Sequence, residues 1–287
     1  MGEELAMGLG IGRLCRGAML IVSVVGLTGC PKSASLPNSS YSEVPFEQVF
    51  DQVRHDIGPF ALRGSYRVKV RGTGRVVPSL SGAILIVPYS KFRMEVRGPI
   101  GGPIFTGVSD GETMGFYLAS ENMWVYSDDL ASDVDLLTGG FAGLEDFLAM
   151  GLGRVTSPDL EPVETGMSPE GPWGSFAGNE GATATLHLDP DRGLVRMLEL
   201  ADSAGEVRLT MTHTAHMLVD EAWYPEQTIY HFGGTDVSME FNYSAWDRLG
   251  SIPNAFDVLA PTTAEELALS ELLFLMQNGV FHLNLED

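Results

Sequence analysis

Residues 60–127 alternate apolar and polar side chains in short runs parted by turn residues, and little besides an antiparallel meander accommodates that pattern. In the first run Leu62, Tyr66, Val68 and Val70 point one way with Gly64 among them, while Arg63, Ser65, Arg67, Lys69 and Arg71 point the other. A sustained period of two marks a strand with one face buried and one in water. Residues 82–87 are apolar on both faces, Ile84 and Ile86 against Ala83, Leu85 and Val87, which asks for cover on both sides. Phe92, Met94 and Val96 then alternate with Arg93, Glu95 and Arg97. Met114, Phe116 and Leu118 follow the Asp110-Gly111 turn, and a run over 123–126 follows Glu121-Asn122. Links this short suit hairpins rather than helical crossovers.

The alternation resumes after residue 180. Ala184, Leu186 and Leu188 share a face, then Leu194, Leu198 and Leu200, then Val207, Leu209 and Met211. Thr228, Tyr230 and Phe232 lead through Gly233-Gly234 into Val237, Met239, Phe241 and Tyr243. Ten or eleven strands and a few helices result, a mainly β (α+β) chain without a fixed-period repeat. Phe46, Val49, Phe50, Val53 and Ile57 recur at helical spacing, with Pro45 suited to a first turn. Residues 143–150 read as a second amphipathic helix through Leu144, Phe147 and Leu148. A third follows Pro261, where Thr262 and Glu265 resemble a capping box and Leu269, Leu272, Leu273 and Met276 form an apolar stripe. Residues 128–135 read as an acidic loop, 136–140 as a short turn and 157–174 as loop.

The start of the chain belongs to targeting rather than to the fold. Arg13 and Arg16 precede an apolar core over 18–27, too short for a stable bilayer span of about 20 residues. The core ends in Leu27-Thr28-Gly29-Cys30, which resembles a bacterial lipobox that makes Cys30 the lipidated first residue. The expected organisation is a signal peptide over 1–29, a flexible tether over 30–44, one domain over 45–260, and a C-terminal helix with its tail over 261–287. Cleavage also removes Cys15, so the single remaining cysteine has no disulfide partner. The net charge of −21 repels nucleic-acid phosphates and anionic headgroups alike, leaving an acyl anchor as the means of membrane attachment.

Catalytic signals are scarce. Gly174-Ser175-Phe176-Ala177-Gly178 sets serine directly after glycine, which is not the Gly-x-Ser-x-Gly elbow. His213 and His216, three apart on a strand, face opposite sides and lack a third ligand for zinc, while His187 and His231 stand alone on strands. Gly72-Thr73-Gly74-Arg75 is a turn with no helix after it to hold a phosphate. Asp128, Asp129, Asp133 and Asp135 fit none of the fixed-spacing calcium loops. The reading is of a binding protein, with no cofactor and no metal.

Residues 91–101, Lys-Phe-Arg-Met-Glu-Val-Arg-Gly-Pro-Ile-Gly, resemble the strand and tip of the LolA/LolB lipoprotein-localisation family, with Ile100 in place of the tip leucine. Residues 136–155, the Trp223-Tyr224-Pro225-Glu226-Gln227 run, the Phe241 strand and Ile252-Pro253-Asn254-Ala255-Phe256 resemble that family's middle and closing sections. The family's tryptophan-glutamine pair in the second strand is absent, and residues 262–287 are an addition.

The resemblance implies a strongly curved, unclosed antiparallel half-barrel whose concave face is lidded by helices around a cavity for acyl chains. Tyr66, Val68, Ile84, Ile86, Phe92, Met94, Met114, Phe116, Met211, Met239 and Phe241 are its expected lining. Any one methionine there is core by default, while several together suit a pocket of adaptable shape. It further implies a monomer on the periplasmic face of the outer membrane. Such a protein takes lipid or acylated lipoprotein from a periplasmic carrier and uses Ile100 as a membrane-contacting tip. A structural or regulatory lipoprotein with a packed interior and a protein partner is the other reading. Bound lipid separates the two.

Overall fold

The computed structural model describes residues 44–54, 60–72, 77–87, 90–138, 140–157, 160–250, 252 and 255–272. The signal segment, Cys30 and the tether up to residue 43 lie outside these, as do Ile57, Leu273 and Met276. Helix α1 (Phe46–Val53) comes first, and strands β1 (Ala61–Arg71), β2 (Leu80–Val87), β3 (Lys91–Arg97), β4 (Pro103–Ser109), β5 (Met114–Leu118) and β6 (Met123–Ser127) form the first meander. Helices α2 (Leu130–Thr138) and α3 (Leu144–Gly151) follow. The second meander holds β7 (Glu164–Ser168), β8 (Gly171–Ala177), β9 (Thr183–Asp189), β10 (Leu194–Ala201), β11 (Val207–Val219), β12 (Ala222–Phe232) and β13 (Ser238–Leu249). Strand β14 (Glu265–Ala268) ends the set.

All fourteen strands form one open sheet in the order β14-β6-β5-β4-β3-β2-β1-β13-β12-β11-β10-β9-β8-β7. The curved, unclosed sheet expected from the sequence is therefore present. It is larger than the ten or eleven strands expected, and one pairing, β14 with β6, is parallel. The two meanders join through β1 and β13, which stay in register for eleven residue pairs around one shift at Ser65/Tyr66. Further shifts fall at Val96/Arg97, Val195/Met197, Leu200/Ala201 and twice between His213 and His216. Bulges bend the strand that carries them, and here they recur across both halves.

Four strands escape the alternation rule, for identifiable reasons. β4 and β8 carry glycines on the inner face, and a ring from a neighbour fills the space a side chain would take. A Cβ at Gly174 of β8 would stand 2.5 Å from the Phe46 ring, and one at Gly107 of β4 3.1 Å from Phe116. β7 is an edge strand with Glu164, Thr165 and Met167 exposed, so it has no buried face to alternate. β14 is short and lies where the capping box was expected. Glu265 begins a strand rather than a helix, its amide held by the Asn122 carbonyl at 2.9 Å, and helical residues start only at 269. The acidic stretch is not loop either. Asp129 caps α2, its carboxylate accepting from the Ser132 amide at 3.2 Å and the Ser132 hydroxyl at 2.8 Å.

The strand order dictates the lid. β6 and β7 are consecutive in sequence yet lie on opposite flanks of the sheet, so the chain between them must cross a face, and it does so with α2 and α3. The inner face carries two apolar clusters. One spans β1–β6, β12 and β13 and takes in Leu130 of α2, Leu144, Leu148 and Ala149 of α3, Leu152, and the C-terminal Leu269 and Leu272. The other lies under α1, where Phe46, Val49, Phe50 and Val53 pack on Phe176, Leu186, Leu188 and Leu198. The outer face is polar and paired, with Arg63 on Asp247, Lys69 and Arg71 on Glu240, and Arg93 and Arg97 on Glu95. The outward Leu85, expected to need a covering layer, is half-buried between Arg63 and Arg93 on the flanking strands. Arginine stems can shield an aliphatic group without a second sheet.

Candidate functional site: the apolar interior

The eleven expected lining residues all lie on one face. Ile86 stands opposite Leu62 and Phe92, Ile84 opposite Gly64 and Met94, and Phe116 opposite Gly107. Val68 pairs with Phe241, and Met239 sits between Val70 and Tyr230. Ten of the eleven share the first apolar cluster. Met211 does not: it faces Leu198 and Tyr230 in the half that α1 fills, and it is 1% exposed. It is packed core rather than lining.

The ten divide by exposure. Tyr66, Val68, Ile86, Phe92, Met114 and Phe241 are buried, whereas Ile84, Met94, Phe116 and Met239 keep accessible surface. So do Tyr230, Tyr243, Met217, Leu144 and Leu148 around them. Tyr230 and Tyr243 make the point most clearly. Burial pushes the Tyr230 hydroxyl up to about 12 and raises Tyr243 well above the ordinary phenol value, which places both deep in the fold. These side chains are therefore packed less completely than the six buried ones beside them. The aromatic wall there is continuous. Tyr66 meets Phe241 at 5.2 Å and Tyr243 at 5.8 Å, Tyr230 meets Phe241 at 5.6 Å, and Tyr243 leans on Trp246 at 4.7 Å. The Trp246 indole donates to the Pro225 carbonyl at 2.8 Å, and the Tyr66 hydroxyl to the Glu95 carbonyl at 3.0 Å.

Sequence reasoning passed over Tyr230 and Tyr243, although they share the parity of Thr228 and Phe241. It also misplaced His213 and His216. The double bulge in β11 brings the two rings to 6.1 Å, where a regular strand would turn them apart. His213, fully buried, is a strut between sheet and lid. The Met150 carbonyl can only accept, so Nε2 carries the proton and donates to it at 2.9 Å, and Nδ1 accepts the Thr228 hydroxyl at 2.9 Å. Arg154 adds a second tie, donating to the Gly193 carbonyl at 2.6 Å and to the Trp223 carbonyl at 3.4 Å.

This strut has a pH consequence. Burial lowers the His213 pKa to about 4, and that of His216 to a similar value. The unfolded chain takes up the His213 proton below its ordinary 6.5, while the folded chain resists it until about 4, so stability falls as pH drops through that window. The expected loss from His213 alone is about 2 kcal/mol between pH 7 and pH 5. Urea midpoints of the parent and of His213→Gln check it, and parallel pH profiles for the two proteins would remove His213 as the cause.

The other sequence candidates stay apart from this interior. No group of three metal-binding side chains forms among the described residues. Ser175 lies on β8 between Glu164 and Thr185 of its neighbours. Ile100 stands at the β3–β4 tip, fully exposed. Cys30 lies outside the described residues. No described helix is long and apolar enough to cross a membrane.

No family model and no curated protein sequence matches the chain. Solved structures do. A LolA superfamily protein from Nitrosomonas europaea aligns at 10% identity and a TM-score of 0.51, covering 75% of this chain and 98% of that one. A DUF1329 family protein from Desulfovibrio piger aligns at 10% identity and 0.53, with the same coverage. An outer membrane lipoprotein-sorting protein domain from Vibrio parahaemolyticus aligns at 12% identity and 0.50, covering 74% of this chain and 94% of that one. At such identities the likeness is one of fold, and in its fold this chain is LolA-like.

Proposed function

We propose that the protein is an envelope lipoprotein that holds acyl chains in the space between its sheet and its lid, and passes them to a membrane. The observation that carries this reading is the accessible surface of Ile84, Met94, Phe116, Met239, Tyr230 and Tyr243 deep in the fold. An apolar, adaptable, largely preformed hollow suits a flexible hydrocarbon chain. The LolA superfamily and lipoprotein-sorting likenesses support it through a shared fold. The Leu27-Thr28-Gly29-Cys30 sequence supports an anchor on Cys30, and Pro31 beside it, in place of an inner-membrane retention aspartate, supports the outer membrane. Cargo would be lipid or acylated lipoprotein, received from a periplasmic carrier by a monomeric receptor. Nothing in the reading asks for catalysis.

Mass spectrometry of the protein taken from native membranes tests anchor and cargo together. The intact mass should show an acylated Cys30 at the N-terminus, and an organic extract should yield acyl lipid in near-stoichiometric amount. An unmodified N-terminus removes the anchor. A lipid-free extract from gently purified protein removes the carrier and favours the protein-binding lipoprotein.

A further inference from the structure

We infer that Arg248 is an anion reader at the edge of the apolar interior, its guanidinium taking the carboxylate or phosphate head of a bound acyl chain. This rests on the acyl-binding reading above and adds to it the chemistry of the head group.

Strand register puts Arg248 on the inner face. It stands opposite Leu62 of β1, which faces Ile86 of β2, which faces Phe92 of β3, so one row across the sheet runs from a guanidinium into three buried apolar side chains. Trp246, two residues back on β13, is buried in the same cluster. The guanidinium lies over the Phe60 ring at 4.4 Å, and Nη2 donates to the Tyr224 hydroxyl at 3.5 Å. Among the described residues its carboxylate neighbour is Asp220 in the β11–β12 turn, 3.9 Å from Nε and itself 65% exposed. Nε is buried without a hydrogen bond. The Arg248 side chain keeps 29% of its surface, so a ligand can reach it.

The arginines of the outer face are satisfied differently. Arg63, Arg71, Arg93 and Arg97 each hold a carboxylate oxygen at 2.7–3.1 Å. Asp247, next to Arg248 in sequence, faces outward and belongs to Arg63. A guanidinium set among apolar side chains is costly unless its donors are met. Stacking on Phe60 fixes its plane and leaves the in-plane N–H groups for an acceptor. The group that complements a fork with a permanent charge is an anion with two oxygens, a carboxylate or a phosphate. A head taken there places the attached chain beside Leu62 and Ile86. Fatty acid and phosphorylated lipid share that chemistry, and the assay separates them.

The experiment displaces N-phenylnaphthylamine from the parent and from Arg248→Gln, using palmitate, hexadecyl phosphate, methyl palmitate and hexadecane as competitors at a mildly alkaline pH. The parent should prefer at least one anionic chain to methyl palmitate by about tenfold. That preference would run against the general repulsion of a net charge of −21. The larger preference, for palmitate or for hexadecyl phosphate, identifies carboxylate or phosphate as the head. Arg248→Gln should bind the dye and both neutral chains as the parent does and lose the preference. No preference in a parent that binds the neutral chains, or a preference kept in Arg248→Gln, overturns the anion reader and leaves the acyl-binding hollow standing. Failure of the parent to bind any of the four chains overturns both. Asp220→Asn removes the competing carboxylate and should keep or raise the preference, whereas a loss there would make Arg248 a tie for the turn and overturn the inference. A crystal structure of the parent with the preferred anion needs no variant. The head should lie within hydrogen-bond reach of the Arg248 guanidinium, and a head held elsewhere overturns the inference.

Discussion

Replacing Val49 with aspartate should cost at least about 4 kcal/mol of stability, more than any surface change on the same helix. Helix α1 spans eight residues and has no side-chain cap, so it is too short to persist by itself. Its place comes from Phe46, Val49, Phe50 and Val53 lying on β8, β9 and β10. Val49 is fully buried at the centre of that contact. A carboxylate there must either take up a proton or lift the helix off, and lifting it opens the whole cluster from Phe176 to Met211. Gln48, exposed on the same turn, is the control: Gln48→Asp should shift the urea midpoint by no more than about 0.5 kcal/mol. Equal shifts in the two variants would mean that α1 contributes no core.

That cluster shows what the sequence makes legible. The helical spacing of Phe46, Val49, Phe50 and Val53 names the buried face of α1 outright, and the alternation of Leu186 with Leu188 names the face beneath it. Their contact cannot be read locally, because the residue that receives Phe46 is Gly174, which carries no apolar signal. The same substitution of a neighbour's ring for a residue's own side chain hid β4 and β8. The strand order was out of reach for a different reason. That β6 and β7 occupy opposite flanks depends on β1 meeting β13, a pairing between residues nearly two hundred positions apart. Once that pairing is known, the crossing of α2 and α3 over the inner face follows.

The candidate site was legible to a similar depth. Parity alone gathered ten of the eleven candidate residues into one apolar cluster, and the same parity would have added Tyr230 and Tyr243 to it. Met211 failed because parity names a face and says nothing of which half of that face a helix fills. His213 and His216 failed because a bulge resets parity, and no residue in His213-Thr214-Ala215-His216 announces one.

On the proposed acyl-binding function, Ile100→Asp should leave the fold, the melting temperature and acyl binding as they are, and slow the transfer of bound lipid into liposomes by up to about thirtyfold. The β3–β4 tip is rigidly built for a loop of its size. The Gly98 amide donates to the Gly102 carbonyl at 3.0 Å, and the Gly101 amide to the Gly98 carbonyl at 2.9 Å. Gly101 holds a φ of +93°, which a side chain at that position would strain. Added Cβ atoms at Gly101 and Gly102 would meet nothing within 4 Å, so the tip stands clear of the body and nothing folds over Ile100, which is fully exposed. A lone exposed isoleucine is ordinary on a protein surface. This one sits at the end of the strand that carries Phe92 and Met94, so a membrane touching it is brought to the rim of the apolar interior. Burying that side chain in a bilayer is worth roughly 2 kcal/mol, enough to orient a tethered domain and too little to hold an untethered one. The assay loads parent and variant with a fluorescent fatty acid and follows its arrival in vesicles of neutral lipid, where the chain's net charge of −21 adds no repulsion of its own. Equal transfer rates would return Ile100 to the ordinary surface.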